Sequence, residues 1–141
     1  MILYAESSAV LAWLLMESEG PRVESLLAAA ERTIASDLTL LECDRAVHRA
    51  VALGRVSPAM GDQLASDLTS TAASWRVVQI LPTIVARARK RFPHEPIRPL
   101  DALHVASALH ARAANPDVVL LSLDDRIRRV AASVGLELVP A

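Results

Sequence analysis

Two hydrophobic rhythms alternate along the chain. Residues 2–5 (ILYA) form a short run of β type, and Ser7 or Ser8 offers a helix N-cap before the apolar stretch 9–16. Gly20-Pro21 breaks the chain ahead of a second helix over about 22–30. Residues 33–36 read as a strand, with Asp37 capping a helix that Gly54 ends. Ser57-Pro58 opens another helix, to about 71. Residues 76–81 read as a strand and Pro82 opens a helix to about 91, after which Pro93, Pro96 and Pro99 confine the chain to a loop. Pro99 opens a helix to about 113, and the apolar run 118–123 suits a strand buried on both faces. Beyond it Asp124 caps a helix in which Ile127, Val130, Ala131 and Val134 fall at i, i+3, i+4 and i+7. Gly135 stands at C′, and 136–139 is a last strand. This alternation predicts an α/β fold, a three-layer α/β/α sandwich around a central parallel sheet of four to five short strands. The 141 residues are expected to form a single domain, 1–141.

Composition narrows the functional classes. With 52% apolar and 22% charged residues the chain can bury a core and is not of the disordered type. The only aromatics are Tyr4, Trp13, Trp75 and Phe92, too few for a sheet that stacks nucleobases. Cys43 stands alone, which excludes an intrachain disulfide and a cysteine zinc site and fits a reducing compartment. The N-terminus MILYAES lacks a cationic leader, and no apolar run approaches the roughly 20 residues of a membrane span. The expectation is a cytoplasmic protein with no membrane contact. A net charge of −1 means that any nucleic-acid contact depends on a local basic patch.

The acids fall where the chemistry of an open parallel sheet is found, at the carboxyl ends of strands where helices begin. Glu6 follows the first strand, Glu42 lies on the helix after the second, and Asp101 is in the first turn of its helix. Asp124 and Asp125 follow the long apolar strand. Singly, Asp124 reads as an ordinary cap and Asp101 as an acid favoured by the helix dipole. Glu42 lies between Leu38 and Ala46 on a helix apolar on more than one side, so its carboxylate needs a partner. Converging on one cleft, such carboxylates stay ionised only with a cation between them, and hard divalent ions take carboxylate oxygens. His48, His94, His104 and His110 show no zinc spacing. His104, three residues after Asp101, reads first as a core or half-buried histidine.

Four segments together resemble the PIN-domain ribonucleases, and most closely VapC-type toxins of toxin–antitoxin pairs, over nearly the whole chain. They are Y4-A-E-S-S-A-V-L, S36-D-L-T-L-L-E-C-D-R-A-V, R98-P-L-D-A-L-H-V-A-S-A-L and L120-L-S-L-D-D-R-I-R-R-V-A. The resemblance implies an Mg²⁺-dependent endoribonuclease, with Mn²⁺ as a possible substitute, in which metal-activated water hydrolyses RNA phosphodiester bonds. It places the catalytic acids at Glu6, Glu42, Asp101 and Asp124, the metal contacts at Glu6, Asp101 and Asp124, and supporting groups at Ser8, Ser122 and Asp125. It implies as partners an RNA substrate, a cognate antitoxin and a second copy in a homodimer. The family pattern has Asp where this chain has Glu6. That departure leaves open a catalytically impaired PIN-like module that binds RNA or protein.

An RNA substrate calls for positive charge near the acids. Arg87, Arg89, Lys90, Arg91 and Arg98 are the expected RNA-binding set, with a second cluster at Arg126, Arg128 and Arg129. The apolar helix around 9–16, with Trp13, Leu14 and Leu15, has surface to spare for a protein partner.

Overall fold

Branched residues build each strand, and a capping or turning side chain then diverts the chain into a helix. The computed structural model describes residues 1–141. In it β1 (Ile2–Ala5) leads to α1 (Ser7–Leu14) and α2 (Gly20–Ala29), and β2 (Arg32–Ser36) to α3 (Asp37–Ala52) and α4 (Pro58–Ala72). Then β3 (Arg76–Val78) leads to α5 (Pro82–Ala88) and α6 (Pro99–Ala114), and β4 (Val118–Leu121) to α7 (Asp125–Ser133), before β5 (Glu137–Val139). No helix is long and apolar enough to cross a membrane.

All five strands pair in parallel in the order β3-β2-β1-β4-β5. Successive strand side chains point to opposite faces. Tyr4, Ile34 and Leu120 pack with Val105 and Ala108 of α6 and Ile127 and Val130 of α7. Leu3, Ala5, Val119 and Leu121 pack on the other face with Val10 and Leu14 of α1, Val23 of α2 and Leu68 of α4. Each fully buried Leu or Ile contributes about 1.5–3 kcal/mol. Interior strand β4, beside central β1, is buried along its whole length. These are the layers and the sheet that the sequence pattern predicts.

Element ends differ from expectation for local reasons. The strand expected to reach residue 81 stops at Val78 because its partner Ser36 is the last residue of β2. Helix α1 ends at Leu14, and Met16, 77% exposed, takes a left-handed turn at φ 54°. Glu6, not Ser7 or Ser8, caps α1, and Ser36, not Asp37, caps α3. Gly135, at φ 76°, supplies the left-handed residue that terminates α7.

Strands β1 and β4 are neighbours whose following helices pack on opposite faces of the sheet. Such a switch of direction opens a crevice beyond the carboxyl ends of the two strands. Glu6 and Ser122 are the residues that stand there.

Candidate functional site

Glu6 continues β1 by one residue, its backbone N–H donating to Leu121 O at 3.0 Å. The side chain is 2% exposed and turns back over the start of α1. Its Oε1 accepts from Ser7 Oγ at 2.7 Å and from the Ser8 backbone N–H at 3.0 Å. Its Oε2 accepts from Ser122 Oγ at 2.8 Å and from Ser8 Oγ. Those two hydroxyls in turn accept backbone N–H bonds, Ser8 from Leu123 at 2.9 Å and Ser122 from Asp124 at 3.2 Å. The carboxylate thus ties the β1–α1 turn to the β4–α7 turn.

Ser7 extends the network to α3. Its Oγ lies 2.7 Å from Glu6 Oε1 and 3.0 Å from Glu42 Oε1, so one hydroxyl proton is shared between two carboxylates. Glu42 Oε1 also accepts from His104 Nε2, which stands 3.7 Å from Glu6 Oε1. The partner that a carboxylate on this helix requires is therefore His104, reaching across from α6. His104 is buried, and its Nδ1 has no hydrogen-bond partner.

Burial opposes a charged imidazole. The bond to Glu42 and the negative charges of Glu6, Glu42 and Asp101 outweigh it and hold the His104 pKa above its ordinary value. Burial likewise works against the Glu42 carboxylate. The His104 hydrogen bond and charge, the Ser7 hydroxyl and the Arg98 charge reverse that and lower its pKa. The stability contributed by His104 is complete below its ordinary value of 6.5 and is lost as pH rises through the raised one. That contributed by Glu42 is present above 4.5 and lost as pH falls through the lowered value. The free energy of unfolding from urea titrations is expected to fall as pH rises above 6.5 and through the raised His104 value, and this fall should flatten in Glu42→Gln. Parallel profiles for parent and variant would contradict the pairing.

Asp101, 6% exposed in the first turn of α6, is gripped by Arg98 from the preceding turn. Arg98 Nε donates to Oδ2 at 2.7 Å and its terminal nitrogen to Oδ1 at 3.2 Å. The Arg98 side chain is 55% exposed, so the pair is screened by water. Its pKa is raised, first by the hydrogen bond to Asp101 and then by the charges of Asp101, Asp124 and Glu42. Asp124 caps α7, its Oδ1 accepting from Arg126 N at 2.8 Å and Ile127 N at 3.1 Å. Asp125 is exposed on the first turn. The negative charges of Glu6, Glu42 and Asp101 thus act on His104, and those of Asp101, Asp124 and Glu42 on Arg98.

A hard divalent cation takes carboxylate oxygens, and Glu42, Asp101 and Asp124 match it in chemistry. Glu42 Oε2 and Asp124 Oδ2 accept no hydrogen bond from the chain, whereas both Asp101 oxygens are bonded to Arg98. Glu6 differs, because its four acceptor positions are already filled by three hydroxyls and an amide. As they stand, no three acidic, histidine or cysteine side chains are arranged to hold a metal ion.

Of the expected RNA-binding set, Arg98 is the member bonded to an acid of the site. Arg87 stacks on Phe92, 4.1 Å from the ring centroid, and Arg89, Lys90 and Arg91 are exposed beyond the end of α5. Arg128 is committed to the fold, donating to Ser122 O at 2.7 Å and Pro140 O at 2.8 Å. Ser7 and the acid-facing side of His104 are the parts of the site that sequence reasoning missed. The i, i+3 spacing of Asp101 and His104 on one helix face was the signal available for His104.

Compared with known proteins, residues 3–133 match the PIN domain family. No curated protein matches the chain. FitAcB from Neisseria gonorrhoeae superposes with a TM-score of 0.71 at 16% identity, covering 98% of this chain and 96% of that one. VapC20 from Mycobacterium tuberculosis, a toxin that cleaves the sarcin–ricin loop, superposes at 0.68 with 15% identity over 95% of each chain. VapBC2 from Rickettsia felis, bound to a promoter DNA fragment, gives 0.63 at 16% identity, over 98% and 97%. At these identities the likeness is one of fold.

Proposed function

Because the chain belongs to the PIN domain family, we propose that it is a metal-dependent endoribonuclease and the toxin of a toxin–antitoxin pair. The observation that carries the reading is the network that joins Glu6, Ser7, Glu42 and His104 beyond the carboxyl end of β1, with Asp101 one turn before His104 on α6 and Asp124 just past the end of β4. The PIN family is generally one of nucleases, and the VapC20 toxin cleaves RNA on the same fold.

In this reading Glu42, Asp101 and Asp124 would close around Mg²⁺, or Mn²⁺ in its place, once Asp101 is released from Arg98. When bound, the ion supplies positive charge to the phosphodiester and to the attacking water. Arg98 lets go of Asp101 and turns its guanidinium to the phosphate, a step eased by its exposure. Glu42 orients the attacking water through Oε2, while its bond to His104 fixes the carboxylate and gives a nearby group that holds a proton. Glu6, with Ser8 and Ser122, anchors the two turns that carry the site, and Asp125 stands beside Asp124 as a supporting acid. Arg87, Arg89, Lys90 and Arg91 would meet the RNA backbone farther along.

A groove of about 640 Å³ between the end of α1, the start of α2 and α4 supports an antitoxin partner. Trp13, Leu14, Met60 and Leu64 give it an apolar wall, and Glu17, Glu24 and Asp67 an acidic rim. Exposed Val85 on α5 and Leu100 on α6, helices that pack together, support a homodimer. A second reading, a silent PIN-like module that binds RNA or protein, is favoured by the saturation of Glu6.

The test is RNA hydrolysis by the purified chain. Cleavage is expected with Mg²⁺ or Mn²⁺ and should stop on chelation by EDTA, and induced expression without a partner should arrest growth. Intact RNA at all metal concentrations, with soluble protein and normal growth, would favour the silent module.

A further inference from the structure

Beside Asp101 lies a hollow of about 230 Å³, whose lining beyond Arg98 and Asp101 takes no part in the catalytic steps above. Its floor is apolar, made by Pro96, Ile97 and Val130, and Arg98, Arg126 and Arg129 stand around it. Arg126 and Arg129 are three residues apart on α7, so their side chains emerge on one face of the helix. Both are exposed. The ion pairs of the chain are Arg22–Glu19, Arg98–Asp101 and those of His104 with Glu6 and Glu42, so neither of these two guanidiniums has an acidic partner. In a protein of net charge −1, two unpaired arginines beside a carboxylate-lined crevice form a local positive wall.

We propose that this hollow is a nucleotide subsite, which seats one RNA base on the Pro96–Ile97–Val130 floor and holds the adjoining phosphates with Arg126 and Arg129. The inference rests on the ribonuclease reading and adds to it the place where the chain next to the cut is gripped. Three features select this occupant. The hollow shares Asp101 with the acidic crevice, so whatever fills it continues into the site. An apolar floor suits the face of a base, and guanidiniums both stack on bases and fork onto phosphate oxygens. The positive wall lies next to negative carboxylates, so a polyanion is drawn to the rim while the crevice itself waits for a cation. Arg98 stands on the boundary between the two, bonded to Asp101 and lining the hollow.

The experiment measures binding of a fluorescent single-stranded RNA decamer to the full chain in EDTA, where hydrolysis does not interfere. Competitors are a base-free ribose-phosphate chain of equal length and a glutamate decapeptide. The double variant Arg126→Ala/Arg129→Ala is expected to bind RNA about 10-fold more weakly, with a salt dependence shallower by about two phosphate contacts. The equal charge change Arg32→Ala/Arg76→Ala, at the opposite ends of the strands, should shift binding by less than about 2-fold. The base-free chain should compete about 10-fold less well than RNA. RNA binding unchanged in the Arg126/Arg129 variant would overturn the subsite. So would equal competition by the base-free chain, which removes the base seat, or by the glutamate peptide, which assigns the hollow to an acidic protein segment. RNA that binds through this wall yet stays intact in Mg²⁺ would refute the ribonuclease reading and leave the subsite standing.

Discussion

Glu6→Ala is expected to lower the unfolding free energy by about 3 kcal/mol or more, measured by urea denaturation. The substitution strips acceptors from three hydroxyls and the Ser8 amide in a place that is 2% exposed. It also uncouples the turn after β1 from the turn after β4. Relief of repulsion between Glu6 and Glu42 works in the opposite direction. That gain is countered by the lost attraction between Glu6 and His104, 3.7 Å away. Glu6→Asp should fall between parent and alanine, since an aspartate can still cap α1 but stands one methylene short of Ser122. A Glu6→Ala protein as stable as the parent would remove the anchoring role assigned to this residue.

Asp101→Asn should have the opposite profile. RNA hydrolysis is expected to fall by about 10²-fold or more, while stability changes by about 1 kcal/mol or less, the scale of a lost favourable charge at a helix N-terminus. Asn keeps the shape of the side chain but no longer attracts Arg98 or a divalent cation. The contrast separates two kinds of acid in one crevice. Glu6 is bonded on all sides, whereas Asp101 is held by a single exposed arginine and, in the proposed reading, carries chemistry. Full cleavage by the Asn variant would detach the acidic cluster from the reaction.

Much of this was legible in the residues because local signals agreed with the global fold. The run 118–123 read as a strand buried on both faces, and β4 is the strand beside central β1. Pro58, Pro82 and Pro99 each opened a helix, as their fixed φ favours. Glu42 announced its need for a partner through the apolar positions flanking it. What escaped the sequence was pairing over long separations. The Glu42–His104 bond spans 62 positions and the Ser122–Glu6 bond 116, and no periodicity encodes them. Glu6 read as a ligand in the family pattern, and its bonds to the hydroxyls of Ser7, Ser8 and Ser122 became visible only in the folded chain. Arg98 read as a group for RNA, and its bidentate hold on Asp101 became visible only in the folded chain.

The most direct measurement is calorimetric titration of Mn²⁺ into the chelator-treated chain and into Asp101→Asn. The account predicts a saturable site in the parent and affinity weaker by about 10-fold or more in the variant. Mn²⁺ binding of equal strength to both proteins would contradict it.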